Sequence, residues 1–191
     1  MAESLAPGWP GIPGRWTSAA KSGVGTALGG STIWFTLSHG IINEIYAPRI
    51  DEAATRDVGF LVTGPGGFVA ELKRHARHVT RCPRPGVPYY AVGSECLQGR
   101  FRLQSEFITD TERPVLVVRL LFAALQGRAE DYRLYVLLAP HLGNYGAGNT
   151  AWVADYRDTP GLFAARDDRA LCLMSATGFG ARSVGFAGVS D

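Results

Sequence analysis

The chain has 191 residues, of which 46% are hydrophobic and 19% are charged, so it can bury the core of one sizeable domain. Its formal net charge of +2 is too small to indicate a nucleic acid or a membrane surface as partner. No segment approaches the ~20 apolar residues of a transmembrane helix, and the first residues lack the regions of a signal peptide. We therefore expect a cytoplasmic domain, with an extracellular parent protein as the alternative.

The cysteine pattern indicates neither a metal site nor a disulfide framework. Cys82, Cys96 and Cys172 are widely spaced, odd in number and form no CxxC pair. A Cys82–Cys96 bridge is conceivable, but buried free thiols in a reducing compartment are the favoured interpretation. The sequence predicts no metal and no cofactor.

Residues 1–25 are predicted to form an extended arm rich in proline and glycine, because "APGWPGIPG" (6–14) cannot form a helix. We expect its Trp9 and Trp16 to cover a sheet edge. From residue 26 to 191, short apolar runs alternate with turn residues, which is typical of an all-β domain.

Two hairpins are predicted before residue 72. The runs "TIWFTL" and "IINEIY" flank "SHG", where His39 needs only a turn role, and "VGFLV" and "FVAEL" flank "TGPGG". The basic stretch from Lys73 to Arg81 is interpreted as a solvated edge strand rather than a polyanion site. His75 and His78, three residues apart, would lie on opposite faces of such a strand, which argues against a shared zinc ion.

The clearest two-residue alternation is "RFRLQSEFI" (100–108), which places Phe101, Leu103, Ser105 and Phe107 on one face of a strand. The runs "PVLVVRLLFAAL" and "YRLYVLLAP" are apolar on both faces, so we expect central strands that are covered on both sides. A further hairpin is predicted around Asp167-Asp168. About ten to twelve strands suggest two packed antiparallel sheets, a large β-sandwich.

Catalytic motifs are absent from the sequence. There is no GxSxG nucleophile motif, and the glycine-rich "GVGTALGG" precedes a strand instead of the helix that a phosphate loop requires. A glycosidase needs two carboxyl groups about 5 to 9.5 Å apart across a cleft. The adjacent pairs Glu130-Asp131 and Asp167-Asp168 lie in turn contexts without an aromatic setting, so we predict no catalytic residue in this chain.

Four ordered segments carry a resemblance: "PGIPGRWTSAAKSGVGTAL", "IWFTLSHGIINEIYAPRIDEAATRDVGFLVT", "YRLYVLLAPHLGNYGAGNTAWV" and "GFAGVSD". Together they resemble the N-terminal domain of bacterial glucoamylases and glucodextranases, members of glycoside hydrolase family 15. Residues 83–100 and 157–182 match least distinctly, and Ala47 stands where many members carry an aromatic residue.

The resemblance implies a galactose-mutarotase-like supersandwich, followed in the same polypeptide by a catalytic (α/α)6 barrel. In that family the barrel carries both catalytic glutamates, so the expected role of this chain is support of an enzyme that exo-hydrolyses α-glucans. The choice between α-1,4 and α-1,6 linkages would lie in the barrel. An α-glucan oligosaccharide is a further candidate ligand of this domain.

The first candidate site is the segment "NEIYAPRIDEAATRD" (43–57). With the barrel adjacent, Tyr46 would offer a flat face to a sugar ring or to the barrel, and Pro48 would set the chain direction. Asp51 and Arg56 would hold the loop or reach sugar hydroxyls. The alternative is that Tyr46 is a sheet-edge aromatic residue and Asp51–Arg56 a local ion pair.

The second candidate site is the loop "PHLGNYGAGNT" (140–150), which follows a strand and holds His141, Asn144 and Asn149. We favour domain docking for it over plain turn chemistry, with sugar contact third.

Two other functions compete with support of a barrel. An independent carbohydrate-binding module would need an exposed row of aromatic residues, for which Tyr89, Tyr90, Trp152 and Tyr156 are candidates. Mutarotase-type epimerisation would need a histidine paired with a carboxylate, and it ranks last.

Overall fold

A computed structural model describes residues 4–5, 20–27 and 29–185. The strands within these ranges are β1 (Ser4–Leu5), β2 (Gly23–Thr26), β3 (Trp34–Ser38), β4 (Ile41–Tyr46), β5 (Ala53–Gly64), β6 (Phe68–Glu71), β7 (Ala76–Arg81), β8 (Tyr90–Cys96), β9 (Phe101–Thr109), β10 (Leu116–Ala124), β11 (Arg133–Pro140), β12 (Thr150–Tyr156), β13 (Thr159–Arg166) and β14 (Arg169–Met174). One helical turn, α1 (Leu72–His75), and the short 3₁₀ turns Pro65–Gly67, Ala129–Asp131 and Leu142–Asn144 complete the described structure. The predicted all-β class is confirmed.

The strands form three antiparallel sheets. Sheet I has the order β11-β5-β4-β3-β2, with β6 also paired to β5. Sheet II has the order β10-β9-β8-β7, and sheet III has the order β1-β12-β13-β14. Trp9 and Trp16 of the predicted arm lie outside the described residues, and β2 overlaps the last residues of that arm.

Sheets I and II enclose the main core, as predicted for a sandwich. Phe35, Phe60, Phe101 and Phe107 are fully buried between them. The alternation in β9 sets its register, because the residues predicted to share a face all point into this core while their neighbours point outwards. Burial of apolar side chains that are distant in sequence is therefore the main stabilising interaction of the sandwich.

Sheet III was not predicted as a separate layer. A small apolar cluster of Ala54, Leu142 and Ala164 joins it to the start of β5 and to the turn that follows β11. These side chains are short and the cluster is small, so sheet III is held less by apolar burial than sheets I and II are.

The predicted hairpins are confirmed. His39 and Gly40 form the β3–β4 turn with positive φ angles, as the turn role of His39 requires. A side chain at Gly40 would also collide with His78, because an added Cβ would lie 2.1 Å from the His78 Nδ1 atom. The hairpins β5–β6 and β13–β14 turn at Pro65–Gly67 and Asp167-Asp168.

The prediction that the runs of β10 and β11 lie centrally was wrong. Within the described residues, β10 ends sheet II and β11 ends sheet I. Their inward side chains pack on the core, but outward ones remain exposed, Val117 by 48% and Leu137 by 49%. A strand with apolar residues on both faces therefore need not pair with a neighbouring strand along both of its edges.

Among the described residues, the second part of the basic stretch forms an edge strand, β7, which confirms that interpretation for Ala76–Arg81. It was wrong for Lys73 and Arg74, which belong to α1. His75 ends α1, so the two histidines do not share one strand. All three cysteines are free, and only Cys96 is buried, so the expectation of buried thiols was wrong for Cys82 and Cys172. In the described part of the chain, no helix combines the length and apolar character needed to span a membrane, and no group of metal-ligating side chains is present.

Candidate functional site

The two loops predicted to carry function lie against each other. The Asn144 side chain bridges them: its Oδ1 atom accepts a hydrogen bond from the Ala53 N–H at 2.7 Å, and its Nδ2 atom donates to the Asp51 carbonyl at 3.1 Å. The backbone N–H of His141 also donates to the Ala54 carbonyl. We call residues 47–52, 141–149 and 166–169 together the loop cluster.

The first loop is shaped by its own hydrogen bonds. The Ala47 N–H donates to the Glu52 carbonyl, which closes the loop between β4 and β5. Arg49 binds Asp51 through two parallel hydrogen bonds of 2.9 and 2.7 Å, and this hydrogen bonding lowers the pKa of the Asp51 carboxyl. Asp51 thus pairs with Arg49 and not with Arg56. Pro48 is exposed and follows a cis peptide bond.

Tyr46 and Arg56 lie away from the exposed part of this loop. Tyr46 is half-buried at the end of β4, where burial and then the adjacent Glu44 carboxylate raise the pKa of its hydroxyl. Arg56 is largely buried on β5, with its Nε atom 4.0 Å from Asp57, and Asp57 also faces Lys73 at 3.6 Å. Both residues are placed to support the strands under the loop.

The second loop is held by Asn149. Its Oδ1 atom accepts from the Leu142 N–H at 3.2 Å, and its Nδ2 atom donates to the Tyr145 and Gly146 carbonyls at 2.8 Å each. Leu142 is buried and anchors the loop to sheet III. Asn144 adopts a left-handed φ of 69°, a conformation that asparagine tolerates better than most residues. Asn149 therefore shapes its own loop, whereas Asn144 joins the two loops.

The third part of the loop cluster, the β13–β14 turn, was missed by the sequence analysis. Arg169 donates two hydrogen bonds to the Glu52 carboxylate in a bidentate ion pair and also contacts Asp168. The hydrogen bonding to Glu52 raises the pKa of the guanidinium. Arg166 lies 4.0 Å above the Tyr145 ring and donates to the Ala147 carbonyl. Arg166 and Arg169, which flank Asp167-Asp168, are the feature of the sequence that could have indicated this part of the site. They lie in a region where the resemblance to the family is weakest.

The loop cluster encloses a polar cleft of about 250 Å³. Its lining includes Glu52, Asn144, Tyr145, Arg166, Asp168 and Arg169. Arginine side chains surround the carboxylates, the opposite of the apolar setting that a general acid needs. The cleft can therefore donate and accept hydrogen bonds, but it is not built for acid–base hydrolysis.

Two exposed residues with apolar side-chain surface belong to the loop cluster. Ile50 is 64% exposed at the tip of the first loop, and Tyr145 is 59% exposed on the second. Hydrogen bonds hold the backbone beneath both of them. Tyrosine is enriched among the residues that anchor protein interfaces, and a backbone fixed before association lowers the entropy cost of binding.

Comparison with known proteins agrees with the resemblance in the sequence. The family model described as glucodextranase, domain N, matches residues 6–191. A glucoamylase of Clostridium sp. (strain G0005) is 36% identical over 184 residues, which cover 95% of this chain and 26% of that protein. The crystal structure of a bacterial glucoamylase complexed with acarbose superposes with a TM-score of 0.92 at 33% identity, over 97% of this chain and 28% of that one.

The chain spans about a quarter of the length of these relatives. The family match extends over almost the whole sequence and the fold agrees closely with the solved structure. The chain therefore belongs to the glucodextranase N-domain family, the N-terminal β-sandwich domains of glucoamylases and glucodextranases.

Proposed function

We propose that this domain supports the catalytic (α/α)6 barrel of a glucoamylase-like polypeptide that exo-hydrolyses α-glucans. The loop cluster is the surface that contacts the barrel beside its active site. The observation that carries this proposal is the Asn144 bridge, which unites two loops about 90 residues apart in sequence into one surface.

The physical support is the combination of rigidity and exposure in the loop cluster. The Asn144 bridge and the Glu52–Arg169 pair hold three chain segments in one arrangement before any partner binds. A surface ordered in advance loses less conformational entropy on association. Ile50 and Tyr145 then supply the apolar contact area that anchors such an interface.

The predicted site residues divide into two groups under this proposal. Pro48, Asp51 and Asn144 lie in the exposed part of the loop cluster and form the rim towards the barrel. The other four support that rim from below or from within the loops: Tyr46, Arg56, His141 and Asn149. None of them acts as the acid or the nucleophile, a role that we assign to the barrel.

An independent carbohydrate-binding module is not favoured by the placement of the candidate aromatic residues. Tyr90 packs edge-on against Phe35 and its hydroxyl donates to the Val24 carbonyl. Trp152 stacks on Phe163 at 5.8 Å within sheet III. Side chains engaged in this way do not form the flat exposed row that stacks on sugar rings.

The test is made in the full-length polypeptide with Ile50→Asp and Tyr145→Ala, using hydrolysis of maltose and isomaltose as the readout. We expect kcat/KM to fall about tenfold for each variant, the effect of losing one anchor contact at an interface. Leu97→Asp is the matched control, because Leu97 is equally exposed but lies in the distant β8–β9 turn. If Ile50→Asp and Tyr145→Ala behave like Leu97→Asp, the loop cluster does not serve the barrel.

A further inference from the structure

The outward face of sheet II has a trough that runs along β8. The outward residues at its centre, Ala91 and Gly93, carry at most a methyl group, and a Cβ added at Gly93 would meet no other atom within 4 Å. Because adjacent strands lie about 4.8 Å apart, the side chains on the two flanking strands are separated by about 10 Å. The floor and both walls together are called the sheet II trough. The walls consist of Arg77, Val79 and Arg81 on β7, and Arg102, Gln104 and Glu106 on β9.

The strand registers place all of these side chains on the solvent face. Gly93 lies opposite Val79 on one side and Gln104 on the other, and residues directly opposite in antiparallel strands share a face. Val79 is 57% exposed, whereas Val92 and Ser94, the neighbours of Gly93 in β8, are buried on the inner face. The trough is therefore open to a ligand from solvent.

The β9 wall is oriented by hydrogen bonds between side chains. The Glu106 carboxylate accepts from the Gln104 amide at 3.0 Å and from Arg119 at 3.2 Å. The bond from Arg119 is the main cause that lowers the pKa of this carboxyl, so Glu106 is an ionised acceptor at neutral pH. Arg102 donates its Nε–H to Glu95 at 2.7 Å, and its terminal amino groups donate no hydrogen bond within the described part of the chain. This wall thus presents donors and acceptors in a fixed arrangement.

The β7 wall adds donors that are not engaged. Arg77 and Arg81 are exposed and form no ion pair with another described residue. A guanidinium group is planar and presents several N–H groups in one fork, which matches neighbouring oxygen atoms of a ligand. Val79 lies between the two arginines and offers a small apolar contact.

This set of groups fits a polyhydroxylated chain. A hydroxyl group both donates and accepts, so sugar hydroxyls pair with guanidinium donors and with carboxylate or amide acceptors alike. A polyanion would meet the like charges of Glu95 and Glu106 on the same face, which is unfavourable. A protein partner needs a pocket for a large anchor side chain with apolar surroundings, and the floor offers only Ala91 and Gly93.

We propose that the sheet II trough binds a segment of an α-glucan chain through its hydroxyl groups. That the glycan is an α-glucan rests on the proposed function, whereas the site rests on the geometry of sheet II. The trough recognises hydroxyl groups and not ring faces, so it differs from the aromatic row that an independent carbohydrate-binding module would need. It is also a different surface from the loop cluster, and it keeps a polymeric substrate on the polypeptide that hydrolyses it.

The first test measures binding of maltoheptaose to the 191-residue chain by isothermal titration calorimetry. We expect a Kd of about 1 mM or below. Gly93→Leu should weaken binding at least about tenfold, because its side chain projects into the open floor of the trough. Gly59→Leu is the matched control and should bind like the unaltered chain, since an added Cβ at Gly59, on sheet I, also meets open space. Absence of binding, or equal Kd values for the two variants, would overturn the proposal.

The second test locates the ligand by NMR. Maltoheptaose should shift the backbone amide resonance of Gly93 and the side-chain N–H resonances of Arg81 and Gln104, while the Gly59 amide stays unchanged. Arg81→Gln should weaken binding about threefold or more, with Arg157→Gln in the β12–β13 turn as the control. Shifts confined to the loop cluster would overturn the proposal. If a polyglutamate peptide causes these shifts and maltoheptaose does not, the occupant is an acidic peptide and the proposal is wrong.

The outcomes separate this inference from the proposed function. Glycan binding in the sheet II trough, together with normal hydrolysis by the Ile50→Asp and Tyr145→Ala variants, would reject the proposed function alone. Absence of glycan binding, together with impaired hydrolysis by those two variants, would reject the sheet II trough alone.

Discussion

The sandwich of sheets I and II and the loop cluster are stabilised by different interactions. The sandwich buries large apolar side chains from distant strands, with Phe35, Phe60, Phe101 and Phe107 fully covered. The apolar cluster beneath the loop cluster consists of Ala54, Leu142 and Ala164, and the loops are joined mainly by hydrogen bonds and ion pairs. Burial of a large apolar surface keeps the sandwich folded. Polar contacts, each of which contributes little free energy, set the shape of the exposed loops.

This difference predicts how far the effect of a substitution spreads. The hydrogen bonds and ion pairs of the loop cluster fix its shape but contribute little to the stability of the core, because water offers similar hydrogen bonds when one of them is lost. A substitution in the loop cluster should therefore leave the core folded. Substitutions in the sandwich should therefore change the free energy of unfolding more, and affect more of the molecule, than substitutions in the loop cluster.

The largest effect is expected in the sandwich. Phe60→Ala should lower the free energy of unfolding by about 3–5 kcal/mol, because it removes a fully buried ring and leaves a cavity. Urea denaturation monitored by tryptophan fluorescence measures the change. Leu97→Ala, at an exposed turn position, is the control and should cost much less. A loss below about 1 kcal/mol for Phe60→Ala would contradict the assignment of the main core.

In the loop cluster, Asn144→Gly should cost about 1–2 kcal/mol, the worth of two hydrogen bonds, since glycine keeps the left-handed backbone but removes the bridging amide. The Ala53 amide should then exchange faster with solvent while core amides stay unchanged. Asp158→Gly is the control, because Asp158 has a similar φ of 61° and lies in the β12–β13 turn. Faster exchange throughout the core would show that the two regions are not separable.

A stabilising substitution would sharpen the contrast. The Ser105 hydroxyl is fully buried in the apolar core and has no hydrogen-bond partner among the described residues. Ser105→Ala should therefore raise the free energy of unfolding by about 1 kcal/mol, because it removes an unsatisfied polar group. Urea denaturation measures this change. Ser94→Ala is the control and should lower the free energy of unfolding, because it removes the hydrogen bond between Ser94 and His78 at 2.9 Å. Loss of stability in Ser105→Ala would reveal an unrecognised partner.

The pH dependence of the sandwich should depend on His78. Burial lowers the pKa of this imidazole, and the nearby His39 acts in the same direction, whereas the hydrogen bond to the Leu72 carbonyl opposes them. The unfolded chain, with a histidine pKa near ~6.5, then binds a proton that the folded state resists. Stability should therefore decrease as the pH falls from about 6.5 towards the lower folded-state pKa. His78→Gln should flatten this part of the Tm profile; an unchanged profile would assign the effect to another group.

The smallest effect is expected at the exposed Arg49–Asp51 pair. Both side chains are largely solvated, so screening by water discounts the hydrogen bonding that lowers the Asp51 pKa. Asp51→Asn should leave the Tm of the chain within experimental error. A clear loss of stability would mean that the first loop depends on this ion pair, and the division between the two regions would be weaker than described.

Local patterns in the sequence determined the secondary structure to a large extent. The alternation in β9 predicted which side chains face the core, and "SHG" and "TGPGG" marked real turns. The resemblance likewise identified the two loops that form most of the candidate site. These features depend on neighbours a few residues apart, through the two-residue period of a strand and the φ angles that turn residues allow.

Only the tertiary structure decided which strands end each sheet, how sheet III is placed, and which loops meet. β10 and β11 lie at sheet edges although both their faces are apolar. The sequence could not predict this position, because hydrophobic periodicity shows which faces of a strand are apolar and not how many neighbouring strands pair with it. The Asn144 bridge to Ala53 and the Glu52–Arg169 pair join residues 91 and 117 positions apart. Such contacts arise from the packing of whole sheets, which no local pattern in the sequence encodes.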